Sequence, residues 1–477
     1  MNKYFNYLFS IPSALFLMFV FAIAIGVATF IENDYGTIAA KALIFNNWWL
    51  ELCLFLLTAI FIYNIFIYKL YHVRKLPVLF LHLSFILIIV GAAITRYTGS
   101  EGMMRIREGN LNNQFVSSTT FLTFKVHNNQ TQYMVDKPLL LSSISNNKFS
   151  IPNYFGKTIK IDNKKIKVEY LNFIQDPIDQ ILENQKDGYD VLELVVPAKS
   201  GGMQSEYIAV NKSKEINDLL VSFNANLLVS KDVGESNADF LISKLDSSFY
   251  FTSIYDVEYM RMSDQSKGVL EKQTRHLLNA KTLYTINGKN MVFKNYFNNS
   301  IITKSTSSIK NDDNTSDLLK IKLIVADRDT IIDLYGTRGL ISPKSYFTFN
   351  DLFFSFSYGS KNYSLPFAIF LKDFQLERYP GSNSPSSFAS EVEVIDGEEK
   401  MDYRIFMNNV LNYRGYRFFQ SSYDDDEKGT ILSVNKDRAG TIFTYIGYLS
   451  LLLSVISVLV SRFSRFNLLN KNIKKES

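Results

Sequence analysis

Four apolar runs, each long enough to cross a bilayer, constrain this chain more than any other feature. A hydrocarbon core is spanned by about 20 helical residues. Runs of that length fall at 11–31, 50–68, 76–95 and 441–461. Three crowd the start of the chain and the fourth lies near its far end, so the long stretch 96–440 leaves the membrane and returns to it. The first run is expected to stay as an anchor. Its apolar core is longer than that of a cleaved signal, and Glu32-Asn33-Asp34 follows where small residues would mark a cleavage site.

Basic residues beside membrane helices stay in the cytoplasm, which orients the chain. Lys69, Arg74 and Lys75 separate the second and third runs, and Arg462, Arg465, Lys471, Lys474 and Lys475 follow the fourth. The 32–49 loop has Glu32 and Asp34 against Lys41, and ends in Trp48-Trp49, a pair suited to an interfacial aromatic belt. The expected topology is a three-helix region (1–95), an external domain (96–440), a fourth helix (441–461) and a basic cytoplasmic tail (462–477), with both termini inside. Ala22/Gly26, Ala24/Ala28 and Gly91-Ala92-Ala93 offer small residues for helix packing.

The external stretch reads as all-β. Short segments such as 121–126 ("FLTFKV"), 157–171, 191–196, 283–293, 318–326 and 353–371 carry strand composition with turn punctuation. Asn287-Gly288 is a favoured two-residue hairpin turn; Asp162-Asn163 and Gly359-Ser360 read as similar reversals. The polar stretch 305–317 reads as a linker, which suggests two lobes, 96–304 and 318–440, of β-sandwich-like build. The fold class is therefore membrane α plus external all-β.

Composition narrows the chemistry. A net charge of +5 over 477 residues, with no basic stripe interleaved with aromatics, argues against nucleic acid as a partner. The single cysteine, Cys53, lies inside an apolar run, so there is no disulfide framework and no thiolate metal cluster. The external domain has no hydrolase, metalloprotease, phosphate-loop or dinucleotide motif, and no catalytic residue is assigned. Asp424-Asp425-Asp426-Glu427 lacks the spacing of a calcium loop and reads as a solvated loop. His127 and His276 read as surface or structural histidines.

His82 is the anomaly. It stands in "LPVLFLHLSFILIIVGAAIT", about six residues and roughly 9 Å into the third helix. An ionisable group at that depth faces a partner or a polar cavity. One reading is a hydrogen bond to a neighbouring helix. The other is metal ligation, with haem suited to an apolar helix face on which Val78, Leu79, Phe85, Ile86 and Ile89 lie near His82. His72 is roughly 15 Å away along a continuous helix, too far to grip the same iron.

"ATFIENDYGTIAAK" (28–41), "FNNWWLEL" (45–52), "LHLSFILIIVGAAITRYTGSEGMMRIREGN" (81–110), "RYPGSNSPSSFASEVEV" (378–394) and "YRGYRFFQSSYDDDEKGTILSVNKD" (413–437) together resemble the ResB/CcsB family of cytochrome c biogenesis proteins (system II). The middle of the chain, about 130–340, carries no matching motif. The resemblance implies a multi-pass protein of the bacterial cytoplasmic membrane with its large domain on the periplasmic side. Its role there is to help export haem and position it for thioether attachment to the CxxCH segment of apocytochrome c. It implies haem b as transported and transiently bound cofactor, with His82 as an axial ligand to its iron. The opposite ligand and a tryptophan-rich haem motif would belong to a ResC/CcsA-type partner, which this chain, ending at Ser477, is expected to need as a separate protein. Thioredoxin-like proteins would keep the thiols reduced. Arg105 and Arg107 are candidate propionate or partner contacts, the alternative being ordinary charges at the domain's entry turn, and Trp48 and Trp49 are candidates to stack beside haem. Catalysis is expected of the complex, not of this chain alone. The rival reading is a non-haem membrane scaffold whose outer domain assembles partners.

Overall fold

The computed structural model describes residues 7–128, 131–142, 155–161, 164–198, 201–224, 238–307 and 316–461. Helices occupy the four apolar runs: α1 (Ile11–Ala40), α2 (Trp48–Ile67), α3 (Leu76–Thr98) and α4 (Arg438–Val460). All four are long and apolar enough to cross a membrane. Local chemistry sets their ends. Ser10 accepts the Ser13 N–H at 3.4 Å and Pro12 sits in the first turn of α1; Pro77 sits in the first turn of α3; Asp437 caps α4 by accepting the Gly440 N–H at 3.1 Å. Gly36, with φ of 84°, breaks α1 after its apolar part. Asn47 precedes α2 without capping it: its amide donates back to the Leu43 carbonyl at 3.2 Å, and its Oδ1 is buried with no partner among the described residues.

The tightest helix contact joins the two helices farthest apart in sequence. α3 and α4 run antiparallel through small residues seven apart, Ser84 and Gly91 on one, Gly440, Gly447 and Ser454 on the other, all buried. A Cβ on Gly91 would lie 2.6 Å from Thr444 Cγ2, and one on Gly447 would lie 2.7 Å from Ile88 Cγ1. Seven-residue spacing keeps such a seam on one face, and small residues let the backbones approach where lipid supplies no hydrophobic drive. Gly91 was anticipated as a packing residue. Ala24 and Ala28 are also buried, whereas a Cβ on Gly26 would meet nothing within 4 Å.

The helix pair continues directly into a sheet. Strand Ser100–Arg107 leaves α3 and pairs antiparallel with Gly429–Lys436, which enters α4, in register from Ser100↔Lys436 to Arg107↔Gly429. These are the central strands of an eight-stranded sheet extending one way through Leu111–Ser117, Asn362–Arg378, Pro385–Asp396 and Glu399–Phe406, the other way through Tyr416–Tyr423 and Leu411–Tyr413. The sheet curls until its ends nearly close. Tyr403 donates to the Val410 carbonyl at 3.1 Å, and Asp396 accepts from Tyr413 at 2.9 Å and pairs with Arg414 at 2.7 Å. Met104, Ile106, Phe115, Ile369, Phe418 and Leu432 fill its interior.

Two four-stranded sheets share a second core. One holds Thr120–His127 and Leu352–Gly359, the other Lys164–Ile174 and Asp317–Val325, and Phe124, Phe356, Val168 and Ile321 interdigitate between them. By internal contacts this belongs with the helices and the curled sheet to one compact unit, 1–176 with 309–477. The other unit, 177–308, has a five-stranded and a seven-stranded sheet around Leu192, Val221, Phe240, Phe251 and Tyr284. The all-β, sandwich-like expectation for the external stretch holds.

Turn chemistry is confirmed in part. Asn287 (φ 47°) and Gly288 (φ 75°) join Thr282–Ile286 to Lys289–Thr306 as a two-residue hairpin. Gly359-Ser360 does not make a hairpin: the strand before it pairs with Thr120–His127 and the strand after it with Leu111–Ser117, so the chain changes sheet there. Asp162-Asn163, most of the 305–317 linker and the 462–477 tail lie outside the described residues.

Two predictions follow from this packing. Gly447→Leu should lower the thermal stability of the detergent-purified chain by roughly 1–3 kcal/mol through overpacking, whereas Gly26→Leu should stay within about 0.5 kcal/mol. Asp317, largely buried and accepting the Asp176 N–H at 3.1 Å, has its carboxyl pushed up by burial to about 6. The folded state therefore holds this proton more tightly than the unfolded state, and stability should fall as pH rises from about 4 to about 6. Asp317→Asn should remove up to roughly 3 kcal/mol of that fall, read from denaturant unfolding at a series of pH values.

Candidate functional site

A cavity of about 730 Å³ opens at the end of the helix bundle opposite the sheet. That is within the roughly 300–1,000 Å³ of small-molecule and cofactor sites. Ile11, Leu15 and Met18 of α1, Phe61 of α2, Pro77 and Val78 of α3 and Val458 of α4 make its apolar wall. His82 and Asn64 project their polar groups from the helices, and Tyr68, Arg74 and Lys75 edge it from the α2–α3 connection. No carboxylate is among the described lining residues.

His82 is held for one orientation. Its Nδ1 lies 2.9 Å from the Val78 carbonyl one turn earlier. A carbonyl only accepts, so Nδ1 carries the hydrogen in this contact and the neutral ring presents its lone pair at Nε2. Nε2 has no hydrogen-bond partner among the described residues. Phe61 meets the imidazole edge-on, centroids 5.5 Å apart at 82°, and itself stacks on Phe85 at 5.5 Å. A ring nitrogen bonded to a backbone carbonyl with the other left open is the arrangement by which proteins orient a metal-binding histidine. The donor set thus fits a haem iron at Nε2. Of the neighbours read from the helical period, Val78 lines the cavity and Phe85 braces the ring through Phe61, while Leu79, Ile86 and Ile89 are not in its wall.

The other residues singled out from sequence lie elsewhere. Trp48 is exposed and Trp49 half-buried at the start of α2, thirteen residues and about 20 Å along the helix from Phe61. The structure does not bring them to His82. Near them, the Arg96 guanidinium pairs with Glu51 and donates to the Phe45 carbonyl, and Tyr97 donates to Glu51 at 2.9 Å, tying the end of α3 to the start of α2. His72 is exposed beside Tyr71. His127 stacks on Phe353 and His276 bonds to Thr274 and the Glu271 carbonyl; no metal-ligand cluster occurs among the described residues.

Arg105 and Arg107 are in a strand, not an entry turn, and both are engaged. Arg105 Nε is 2.7 Å and Arg107 Nη1 2.8 Å from the carboxylate of Asp424, which is almost wholly buried, and Arg107 makes a second, bidentate pair with Asp426. The guanidinium holds the Asp426 carboxyl down at about 2 and is itself pushed up by the two carboxylates. Glu427 pairs with Arg378. The acidic run read as a solvated loop is thus the counter-charge of the arginines, because Gly429–Lys436 pairs with Ser100–Arg107 and carries the run to them.

A model of the ResB-like family matches residues 333–463, covering most of the curled sheet and α4. The chain is 28% identical over 463 residues, 97% of its length, to Protein NrfI of Wolinella succinogenes. Over residues 333–463 the chain is similar to the ResB-like family. It spans about a third of that relative, 36% of its length. The resemblance read from scattered motifs at both ends therefore holds, and the matched residues take in the strands from Asn362–Arg378 to Gly429–Lys436 and α4.

Asn64, Arg74 and Lys75 were not singled out as site residues from the sequence. The available signal was a lone asparagine in "AIFIYNIFIY", since a polar group in a membrane helix asks for a partner. If Arg107 serves Asp424 and Asp426, Arg107→Gln should cost about 1–3 kcal/mol of unfolding free energy, because the buried Asp424 loses a charged hydrogen bond. Chemical denaturation of the purified chain checks this.

Proposed function

We propose that this ResB-like chain is a haem-handling subunit of the membrane machinery that builds cytochromes c. The single observation that carries the reading is His82, whose Nδ1 is bonded to the Val78 carbonyl and whose Nε2 is open beside an apolar cavity of cofactor size. When bound, haem supplies an iron that accepts the imidazole and vinyl groups that combine with the two thiols of CxxCH. The chain's own residues do the rest. Val78 fixes the tautomer, Phe61 fixes the ring plane, and the wall from Ile11 to Val458 keeps water from the iron side. Among the described residues the wall offers one imidazole, so any further ligand to the iron would come from a partner, in this reading a ResC/CcsA-type protein.

The same reading places the chain in the bacterial cytoplasmic membrane. Arg74 and Lys75 are beside the cavity, so the cavity end is cytoplasmic and the sheet end periplasmic. The curled sheet is set directly on the α3–α4 pair, where apocytochrome c, kept reduced by thioredoxin-like proteins, would meet the complex. Such a chain holds and presents haem b, and bond formation belongs to the assembled synthase.

His82→Ala and wild type, each copurified with the partner at matched protein levels, should differ in their reduced-minus-oxidised absorbance. The variant should lose most of the bis-histidine-type haem signal. An unchanged haem content and spectrum would overturn the ligand assignment and leave the scaffold reading.

A further inference from the structure

A smaller cavity, of about 420 Å³, lies where the curled sheet meets the start of α4. Arg414 and Gly415, with φ of 46° and 82°, join Leu411–Tyr413 to Tyr416–Tyr423 as a two-residue hairpin turn. A Cβ on Gly415 would lie 3.5 Å from Arg438 Cβ and 3.6 Å from its Cδ, so the Arg438 stem rests against the turn. The wall therefore holds Arg414, Arg417 and Arg438 together with Thr441 and Ile442 of α4. The three guanidiniums are in different states. Arg414 is engaged by Asp396 at 2.7 Å. Arg417 donates from Nε to the neutral Asn412 Oδ1 at 3.2 Å and lies over the Phe419 ring, its terminal nitrogens making no bond among the described residues. Arg438 makes no hydrogen bond or ion pair among the described residues. The carboxylate in the described wall, Asp437, has both oxygens occupied, one by the Thr95 hydroxyl and the other by the Gly440 N–H. Glu101, two strands across from Arg417, accepts from Asn435 at 3.4 Å and is not among the described lining residues.

We infer that Arg417 and Arg438 seat the phosphate of an anionic phospholipid in this cavity, with an acyl chain lying along α4. The helix is membrane-length and its first turn lines the cavity, which puts the guanidiniums at the depth of lipid headgroups. Ile442, Tyr445 and Leu449 follow Arg438 at offsets of four, seven and eleven residues, on one face of the helix. Each is about half exposed, and the opposite face, with Gly440, Thr444 and Gly447, is the one packed on α3. A charged seat thus stands directly above an open apolar stripe, the arrangement of a lipid's own head and tail. Guanidinium matches phosphate oxygens in a fork of paired, charge-assisted hydrogen bonds. A headgroup amine would find no free carboxylate in the described wall, so the seat favours a lipid that is net negative and carries no ammonium. The inference stands independently of the haem reading.

The test titrates phosphatidylglycerol or phosphatidylcholine into the full chain in neutral detergent and counts bound lipid by native mass spectrometry. Wild type should hold one phosphatidylglycerol about tenfold more tightly than phosphatidylcholine. Arg417→Gln with Arg438→Gln should bring that ratio to within about twofold of one, and the lysine pair at the same positions should keep about a threefold preference, having charge without the fork. Lys41→Gln with Lys69→Gln, which removes as much charge elsewhere beside the membrane helices, should leave the wild-type ratio unchanged. Glycerol 3-phosphate, which has the phosphate and no acyl chain, should not displace the lipid at equal concentration. Equal wild-type affinities, a preference that survives the double glutamine variant, or an equal loss in the Lys41 and Lys69 variant overturns the seat. Displacement by glycerol 3-phosphate overturns the lipid and leaves a site for soluble phosphate esters. If the double glutamine variant does not fold, Arg438→Gln alone decides, since that side chain is exposed and unbonded among the described residues, and about a threefold loss of preference is expected of it.

Discussion

The antiparallel contact between α3 and α4 is the constraint on which the rest of the first unit depends. It joins Ser84 and Gly91 to Gly440 and Gly447 across a gap of well over three hundred residues, and the pairing of Ser100–Arg107 with Gly429–Lys436 carries the same alignment into the sheet. Closing so long a loop costs about 5 kcal/mol of chain entropy. A continuous seam of backbone contact, first helix on helix and then strand on strand, offsets that cost with interactions that reinforce one another. Thr95 donates to Asp437 at 2.5 Å where helix gives way to strand, and the other oxygen of Asp437 caps α4, so one carboxylate locks both sides of the junction.

This seam also sorts the polar groups. At the sheet end, Arg96 with Glu51, Arg105 and Arg107 with Asp424 and Asp426, and Arg414 with Asp396 are matched charge for charge, and among the buried side-chain atoms of the described residues Asn47 Oδ1 is the exception. At the other end the helices separate, and the groups lining the opening include an imidazole nitrogen and an amide without partners among the described residues. Stability is secured at one end and binding capacity is kept at the other. That division is what a membrane protein needs if its ligand is to enter an apolar site without the fold depending on it.

The arginines show how a local reading misplaces a charge. Arg105 and Arg107 follow a membrane helix and look available, and the acidic run at 424–427, flanked by Ser421, Ser422 and Lys428, looks solvated. Strand pairing brings the two together and buries Asp424. Neither stretch carries a local sign of the other, and the match exists only through register.

Hydropathy and short-range pattern are local quantities, and what depends on them was legible in the chain: four helices, with only the end of the first misplaced, at 31 where the helix runs on to Ala40, a β-rich external stretch, the Asn287-Gly288 hairpin and the anomaly of His82. A histidine in an apolar run is conspicuous because burying it has a cost wherever the helix packs. The curled eight-stranded sheet, the change of sheet at Gly359, the heptad seam of α4 and the meeting of Asn64, Arg74 and Lys75 around one cavity all needed the folded chain. Each depends on which distant segments become neighbours, and that follows from the summed packing of the whole unit, for which no window of residues carries the information.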